Sequence, residues 1–310
     1  MLLSPSDVLS MGLKLIGVSR EQQRGQSEFN KHQNFKSHYG SSPLVIADIW
    51  YDLQSADVSG ARLSVSENTE KGFKAYMMGH YYLWTYPKNS RILSSRFQVC
   101  ERYCRGKELW HWIYKIQALK RRKIQWDPTL ADPNKSAFVG SIDGVDCHIW
   151  EPKHPTMNMD KSYSSHKFKA AAFKYEIILS ITDSQILWIS GPFKGGTHDM
   201  TVFRRGGFKA IMLSMQGKML VGDAIYKGGD DYREEHGMFA PPNTLDPEHL
   251  AAWKSRVRCR QETVNDRIKF FAITKQTFES TDQQKHKAAF EAVAVIVQYQ
   301  MDNGAPLYDV

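Results

Sequence analysis

The sequence predicts an α/β protein: a mixed sheet flanked by helices, preceded by a helical, basic N-terminal region. Three observations in the second half carry that reading. The apolar runs Phe138-Val139-Gly140-Ser141-Ile142 and Leu220-Val221-Gly222 each end on one acid, Asp143 and Asp223. The runs 175–183 and 185–190 are joined by the short turn Asp183-Ser184, which reads as an antiparallel hairpin. Asp246-Pro247 then opens a long segment whose apolar stripe recurs at Leu250, Val257, Val264, Ile268 and Phe271, the period of a helix.

Composition bounds the rest. Over 310 residues, 42% hydrophobic and 12% aromatic content gives ample material for a packed core, and a net charge of +8 favours a polyanionic partner, nucleic acid before membrane. Cys100 and Cys104 stand one helical turn apart with no second pair to complete a zinc site. Reduced thiols in an intracellular compartment fit them best, and no run approaches the ~20 apolar residues that span a bilayer.

The chain is expected to divide into residues 1–130 and 135–310, with the linker Trp126-Asp127-Pro128 to Lys135 between them. The first 70 residues read as polar and poorly periodic, apart from an apolar helix at 43–53. An aromatic-rich helix follows from Glu70 and ends before Pro87. Residues 91–123 carry Arg91, Arg96, Arg102, Arg105, Lys107, Lys115, Lys120, Arg121, Arg122 and Lys123 against the acids Glu101 and Glu108. Helices at 91–103 and 107–120 around Arg105-Gly106 fit a helix-turn-helix that grips phosphates; a solvated helical hairpin fits equally. Lys120-Arg121-Arg122-Lys123 also has the composition of a nuclear import patch.

The second part runs strand with acid, hairpin, a helix at 199–213, strand with acid, the long helix to about Phe271, and a last amphipathic helix at 287–301. That order is the order of an RNase H-like domain, in which the first and fourth strands are neighbours. Asp143 and Asp223 would then sit side by side, and Glu262, beside the apolar stripe with Arg258, Asn265 and Lys269, would close a triangle. Three carboxylates so close repel unless divalent cations neutralise them, and hard oxygen ligands suit Mg²⁺ or Mn²⁺. Two such ions would activate a nucleophile and stabilise the leaving oxygen of an in-line phosphodiester attack.

Four blocks, in this order, resemble the Harbinger and IS5-like DDE transposases: Ser141-Ile142-Asp143-Gly144-Val145; Gly191 to Asp199, ending in His198-Asp199; Val221-Gly222-Asp223-Ala224-Ile225-Tyr226; and Arg258 to Lys269. The resemblance implies a metal-dependent DNA endonuclease and strand-transfer enzyme acting on element ends and target DNA, with Asp143, Asp223 and Glu262 as its metal-binding triad. It makes His198 and Asp199 accessory candidates, with a helix N-cap the competing role for Asp199. Further DNA contacts are expected at Arg102, Arg105, Lys107, Lys120–Lys123, Lys167, Lys169, Arg258 and Lys269. A separate Myb-like DNA-binding partner is also implied, and a homo-oligomer and, from the Lys120–Lys123 patch, a nuclear location are expected beside it. Two departures stand beside the acids: Ile225 replaces a glycine of the pattern, and Asn265-Asp266 replaces Phe-Gly. They leave a domesticated, catalytically silent DNA-binding protein as the alternative.

Overall fold

The computed structural model describes residues 1–58, 60–101, 106–132, 134–152, 160–215, 217–226, 235 and 237–310. The chain forms two compact units, each assembled from separated segments. The first holds Met1–Lys123, Ile268–Gln276 and Gln284–Ala305; the second holds Ile124–Arg267, Thr277–Gln283 and Pro306–Val310.

The first unit is helical from its start. Helices α1 (Pro5–Leu15), α2 (Arg20–Arg24), α3 (Glu28–Tyr39) and α4 (Pro43–Ser55) occupy the stretch that reads as aperiodic. The signal there is in the caps: Ser4, Ser19, Ser27 and Ser42 each accept a backbone N–H of the first turn. Helix α5 (Glu70–Thr85) ends before Pro87, and α6 (Ser90–Phe97), α7 (Lys107–Ala118) and the short α8 (Lys120–Lys123) follow. Trp50 of α4 stacks on Trp112 of α7 and meets Phe73 of α5 edge-on, with centroids 5.9 and 5.1 Å apart.

The long C-terminal helix, residues 283–302, is buried on nearly every side between His286 and Met301, whereas its sequence reads as one-sided. Small alanines at 288, 289, 292 and 294 let neighbouring helices close around it. Lys120 and Gln117 both reach Glu291 at 2.6 Å, and the Tyr299 hydroxyl donates to Asp52. Among the described residues, no helix is long and apolar enough to cross a membrane.

The second unit is built on a four-stranded mixed sheet in the order β3-β2-β1-β4. The strands are β1 (Phe138–His148), β2 (Ala172–Ser180), β3 (Ile186–Lys194) and β4 (Met219–Val221). The β2–β3 hairpin is antiparallel, and β4 lies parallel to β1 with Ser141 opposite Val221. Helices α9 (Asp199–Arg205) and α10 (Phe208–Leu213) divide the single helix expected at 199–213. The break is at Gly206-Gly207, where Gly207 takes φ +92°, a conformation unfavourable for a side chain.

Strand alternation sorts the two faces of the sheet. Ile142, Ile178 and Leu220 pack with Met200, Phe203, Phe208 and Met212 of α9 and α10. On the other face, Ile181 and Val221 pack with Val257 and Trp253 of α11 (Glu248–Lys269). Arg260, 2% exposed, ties α11 to the hairpin turn by donating to the carbonyls of Ser180, Ile181 and Asp183 at 3.0, 2.6 and 3.0 Å.

Candidate active site

Asp143 and Asp223 each stand two residues past a paired position, Ser141 opposite Val221, on neighbouring parallel strands. Period-two alternation turns both toward the α11 face. Each carboxylate is held partly by its own backbone: Asp143 Oδ1 accepts from Gly144 N at 2.8 Å, and Asp223 Oδ1 from Ala224 N at 2.6 Å. Gly222 is required by packing, since a Cβ there would lie 2.9 Å from Ile142 Cγ2 and 3.0 Å from Tyr226 Cδ2.

Helix α11 presents positions 258, 262 and 265, spaced i, i+4, i+7, as one stripe. The first and last residues of that stripe touch the acids. Arg258 Nη2 lies 4.0 Å from Asp223 Oδ1, and Asn265 Nδ2 donates to Asp143 Oδ2 at 2.7 Å. Glu262 is mounted between them, exposed, and its carboxylate has no hydrogen-bond or ion-pair partner among the described residues. Buried Gln261 completes the attachment: the Ser141 hydroxyl donates to its Oε1 at 2.7 Å, and its Nε2 lies 3.4 Å from Asn265 Oδ1. A chain of hydrogen bonds therefore runs from Ser141 through Gln261 and Asn265 to Asp143.

Burial pushes the Asp143 carboxyl up to about 6, and the neighbouring Asp199 and Asp223 charges add to the rise. The Gly144 N–H and the Lys167 ammonium oppose it. Lys167 and Lys169 are exposed on a loop anchored from behind, where the Ser165 hydroxyl donates to the buried Asp146. Asp146, at odd spacing from Asp143, belongs to the opposite face and has this structural task.

His198, not Asp199, caps α9: its Nδ1 accepts from Met200 N at 3.3 Å. Asp199 is the first helical residue, and its Oδ1 accepts from Lys174 Nζ at 2.7 Å. It lies against Gly144, where a Cβ would come within 3.2 Å of Asp199 Oδ1. Glu176, opposite Gly144 on β2, is fully buried, and its carboxyl is pushed well above the usual range by burial and by Asp199. Tyr226 OH donates to it at 3.4 Å. Reading the sequence for acids at strand ends misses Lys174, Glu176 and Gln261, and places Asn265 beside Glu262 without its contact to Asp143. The signal for the first two is in the text itself, two charges inside an otherwise apolar, fully buried strand.

The basic segment is placed differently. Arg102 and Arg105 lie outside the described residues. Lys107 is exposed, Lys120 pairs with Glu291 at 2.6 Å, Arg122 with Asp52 at 3.1 Å and Lys123 with Asp302 at 3.0 Å. Arg121 and Lys269 also have partners. Much of this positive charge is met by the protein's own carboxylates.

Among the described residues no three His, Cys, Asp or Glu side chains converge closely enough to hold a metal ion. The donor chemistry nonetheless suits a hard cation at two corners: two carboxylates carried by adjacent strands, one of them discouraged from ionising by burial and then by its acidic neighbours.

A four-stranded mixed sheet with β1 and β4 adjacent, helices on both faces, one aspartate within β1 and one just past the end of β4 is an RNase H-like fold of the DDE type. The sequence pattern of the DDE superfamily endonuclease family matches residues 142–298, and the chain belongs to that family. No curated protein and no solved structure matches the chain.

Proposed function

We propose that the protein is a DDE endonuclease that hydrolyses DNA phosphodiesters and transfers the resulting strands, using Asp143, Asp223 and Glu262. The observation that carries this reading is the pairing of β1 with β4, which sets Asp143 within β1 beside Asp223 just past the end of β4, beneath the α11 stripe that bears Glu262. Asp143 and Asp223 would hold a divalent cation, Mg²⁺ or Mn²⁺, with the unpaired Glu262 available from the helix. Such a cation, when bound, supplies Lewis-acid activation of the attacking oxygen and charge neutralisation at the phosphate.

The chain's own groups define the remaining roles. Asn265 and the Gly144 N–H fix the rotamer of Asp143, so the carboxylate is oriented before substrate arrives. Arg258 sits where it partly neutralises Asp223 and can meet a phosphate oxygen. Lys167, whose charge already reaches Asp143, and Lys169 on the same exposed loop, would contact the backbone beyond the scissile bond. Neither departure beside the acids blocks this. Ile225 is exposed and does not have a left-handed backbone, so no glycine is needed there, and Asn265 makes the contact to Asp143 itself.

The test is cleavage of labelled duplex by purified protein with Mg²⁺ or Mn²⁺. Asp223→Ala is expected to lower the rate by at least ~10³-fold, in line with the several kcal/mol that metal-assisted charge stabilisation supplies. Cleavage that persists in Asp223→Ala sinks the assignment. Asn265→Ala should cost less, about 10–100-fold, because it frees a ligand side chain without removing it. Unchanged circular dichroism and restoration by Asn265→Gln would place that loss in positioning and not in folding. A chain that keeps the fold and binds DNA but never cuts it, with or without metal, would be the domesticated alternative. The Myb-like partner belongs to this same reading through the Harbinger and IS5-like resemblance alone, and a nuclear location through the composition of Lys120–Lys123; a homo-oligomer is a further expectation of the reading.

A further inference from the structure

The first unit contains a cavity of about 860 Å³ whose charged lining comes from four helices. Lys14 of α1, Arg20 of α2, Lys71 and Lys74 of α5 and Arg96 of α6 surround it, with Glu70 the one acid. None of the five bases makes an ion pair among the described residues, in contrast to Lys120, Arg122 and Lys123 of the same unit. Arg96 is half-buried and is held over the Tyr81 ring at 5.2 Å, which fixes its position without neutralising it. Five like charges around one concavity repel each other, and an unneutralised cluster of this kind is an electrostatic footprint for a polyanion.

We propose that this cavity is a sequence-independent grip for the phosphate backbone of duplex DNA, and that the unit binds DNA here more than through residues 107–123. The depth of the charges selects the ligand. Lys14, Arg20 and Lys71 are exposed on the rim, and Lys74 and Arg96 are half-buried on the wall. A small anion sequestered in the cavity would call for buried donors, whereas rim cations suit an extended chain of phosphates laid across the opening. Cations without internal partners release the counterions of such a chain at no cost in broken ion pairs. Bases of this kind contact phosphates and read no sequence. The choice of DNA among polyphosphates rests on the endonuclease reading above.

The experiment measures fluorescence anisotropy of a labelled duplex with the full-length protein in EDTA, so that binding is read without cleavage. Between about 50 and 200 mM salt, the triple variant Lys14→Gln/Lys74→Gln/Arg96→Gln is expected to reduce the slope of log affinity against log salt by about 2–3. Its affinity at the low-salt end should fall by tenfold or more. A control triple, Lys36→Gln/Arg62→Gln/Lys275→Gln, removes equal charge from exposed positions outside the cavity and should leave the slope nearer the parent's. An unchanged slope in the cavity triple, an equal loss in the control, or no duplex binding by the parent overturns the proposal. If the triple fails to fold, Lys14→Gln and Lys71→Gln singly, both at exposed positions, should each lower the slope by about 1, and no change in either overturns it.

A second arm measures thermal stabilisation by inositol hexakisphosphate. If the triple loses that stabilisation and keeps the duplex slope, the occupant is a small polyphosphate and the DNA assignment fails. Cleavage measured separately in Mg²⁺ distinguishes this proposal from the nuclease reading: a parent that never cuts but loses slope in the cavity triple sinks the nuclease reading alone, and a parent that cuts while the triple keeps its slope sinks this proposal alone.

Discussion

Asp143→Asn is expected to abolish strand cleavage and at the same time to stabilise the fold above neutral pH. The carboxyl's ordinary value is 3.8, and in the fold it is pushed up to about 6 by burial first and by Asp199 and Asp223 next. A raised acid binds its proton more tightly in the folded state. The folded state therefore holds more protons than the unfolded chain between about pH 4 and 6, and stability falls as pH rises through that window. Above it the parent carries the full cost, on the order of 1–3 kcal/mol, the upper limit being the whole interval from 3.8 to about 6. Asparagine does not titrate, so the gap in melting temperature should be small at pH 4 and widen to a plateau above pH 7.

The hydrogen bonds survive the exchange if the Asn265 and Gln261 amides both turn over, the Ser141 hydroxyl then accepting from Gln261. As it stands, both Asp143 oxygens accept, one from Gly144 N and one from Asn265 Nδ2; with an amide at 143, the Asn265 Oδ1 would become the acceptor. A divalent cation should close the gap by raising the melting temperature of the parent and not of the variant. Calorimetry across pH, with and without Mg²⁺, checks both statements. A variant less stable than the parent at pH 8 would show that the Asp143 charge is not a cost to the fold.

Arg260→Ala should be among the most destabilising single changes in the second unit, by about 3–5 kcal/mol, because it removes the donor that the buried Ser180 and Ile181 carbonyls share. The guanidinium donates to Ser180, Ile181 and Asp183 oxygens, and burial holds its pKa below the usual arginine value. Those carbonyls lie at the hairpin end of β2, so the contact sets where α11 crosses the sheet. Gln261 and Asn265, which face the Ser141 and Asp143 side chains from the same helix, depend on the same placement. A urea midpoint near the parent's would refute the prediction. Arg260→Lys keeps a charge but supplies a single ammonium for carbonyls that a planar fork now reaches, and should recover only part of the loss.

Much of the second unit's plan was legible in its residues. Apolar runs bearing an acid, a short turn between two strand-like runs and an Asp-Pro pair ahead of an apolar stripe are local signals, and each marks an element that forms, though with other bounds: β1 continues past Asp143 to His148, residues 181–185 join β2 to β3, and α11 starts at Glu248 while Asp246 pairs with Lys254. The helix stripe carrying Arg258, Glu262 and Asn265 also followed from spacing alone, since 100° per residue leaves little choice. Which member of the stripe touches which acid did not follow. Asn265 reaches Asp143 and Glu262 stays in solvent because the Arg260 anchor and the Ser141–Gln261 bond set the height and rotation of α11 over the sheet.

In the first unit the balance is reversed. The serine caps of α1 to α4 were written locally but carried by polar text with weak periodicity, so packing against distant helices, not amphipathic pattern, decides their order. The basic run 107–123 looks like a free phosphate-binding face in sequence. Tertiary contact answers Lys120 with Glu291, Arg122 with Asp52 and Lys123 with Asp302, partners as many as 179 residues away. By itself the sequence determined the order of the second unit's main elements and the presence of one acid in or next to each of two strands, because those depend on neighbours along the chain. Only the tertiary structure decided which charges are spent inside the protein and which are left for a ligand, because ion pairing and burial are set by residues the chain brings together from afar.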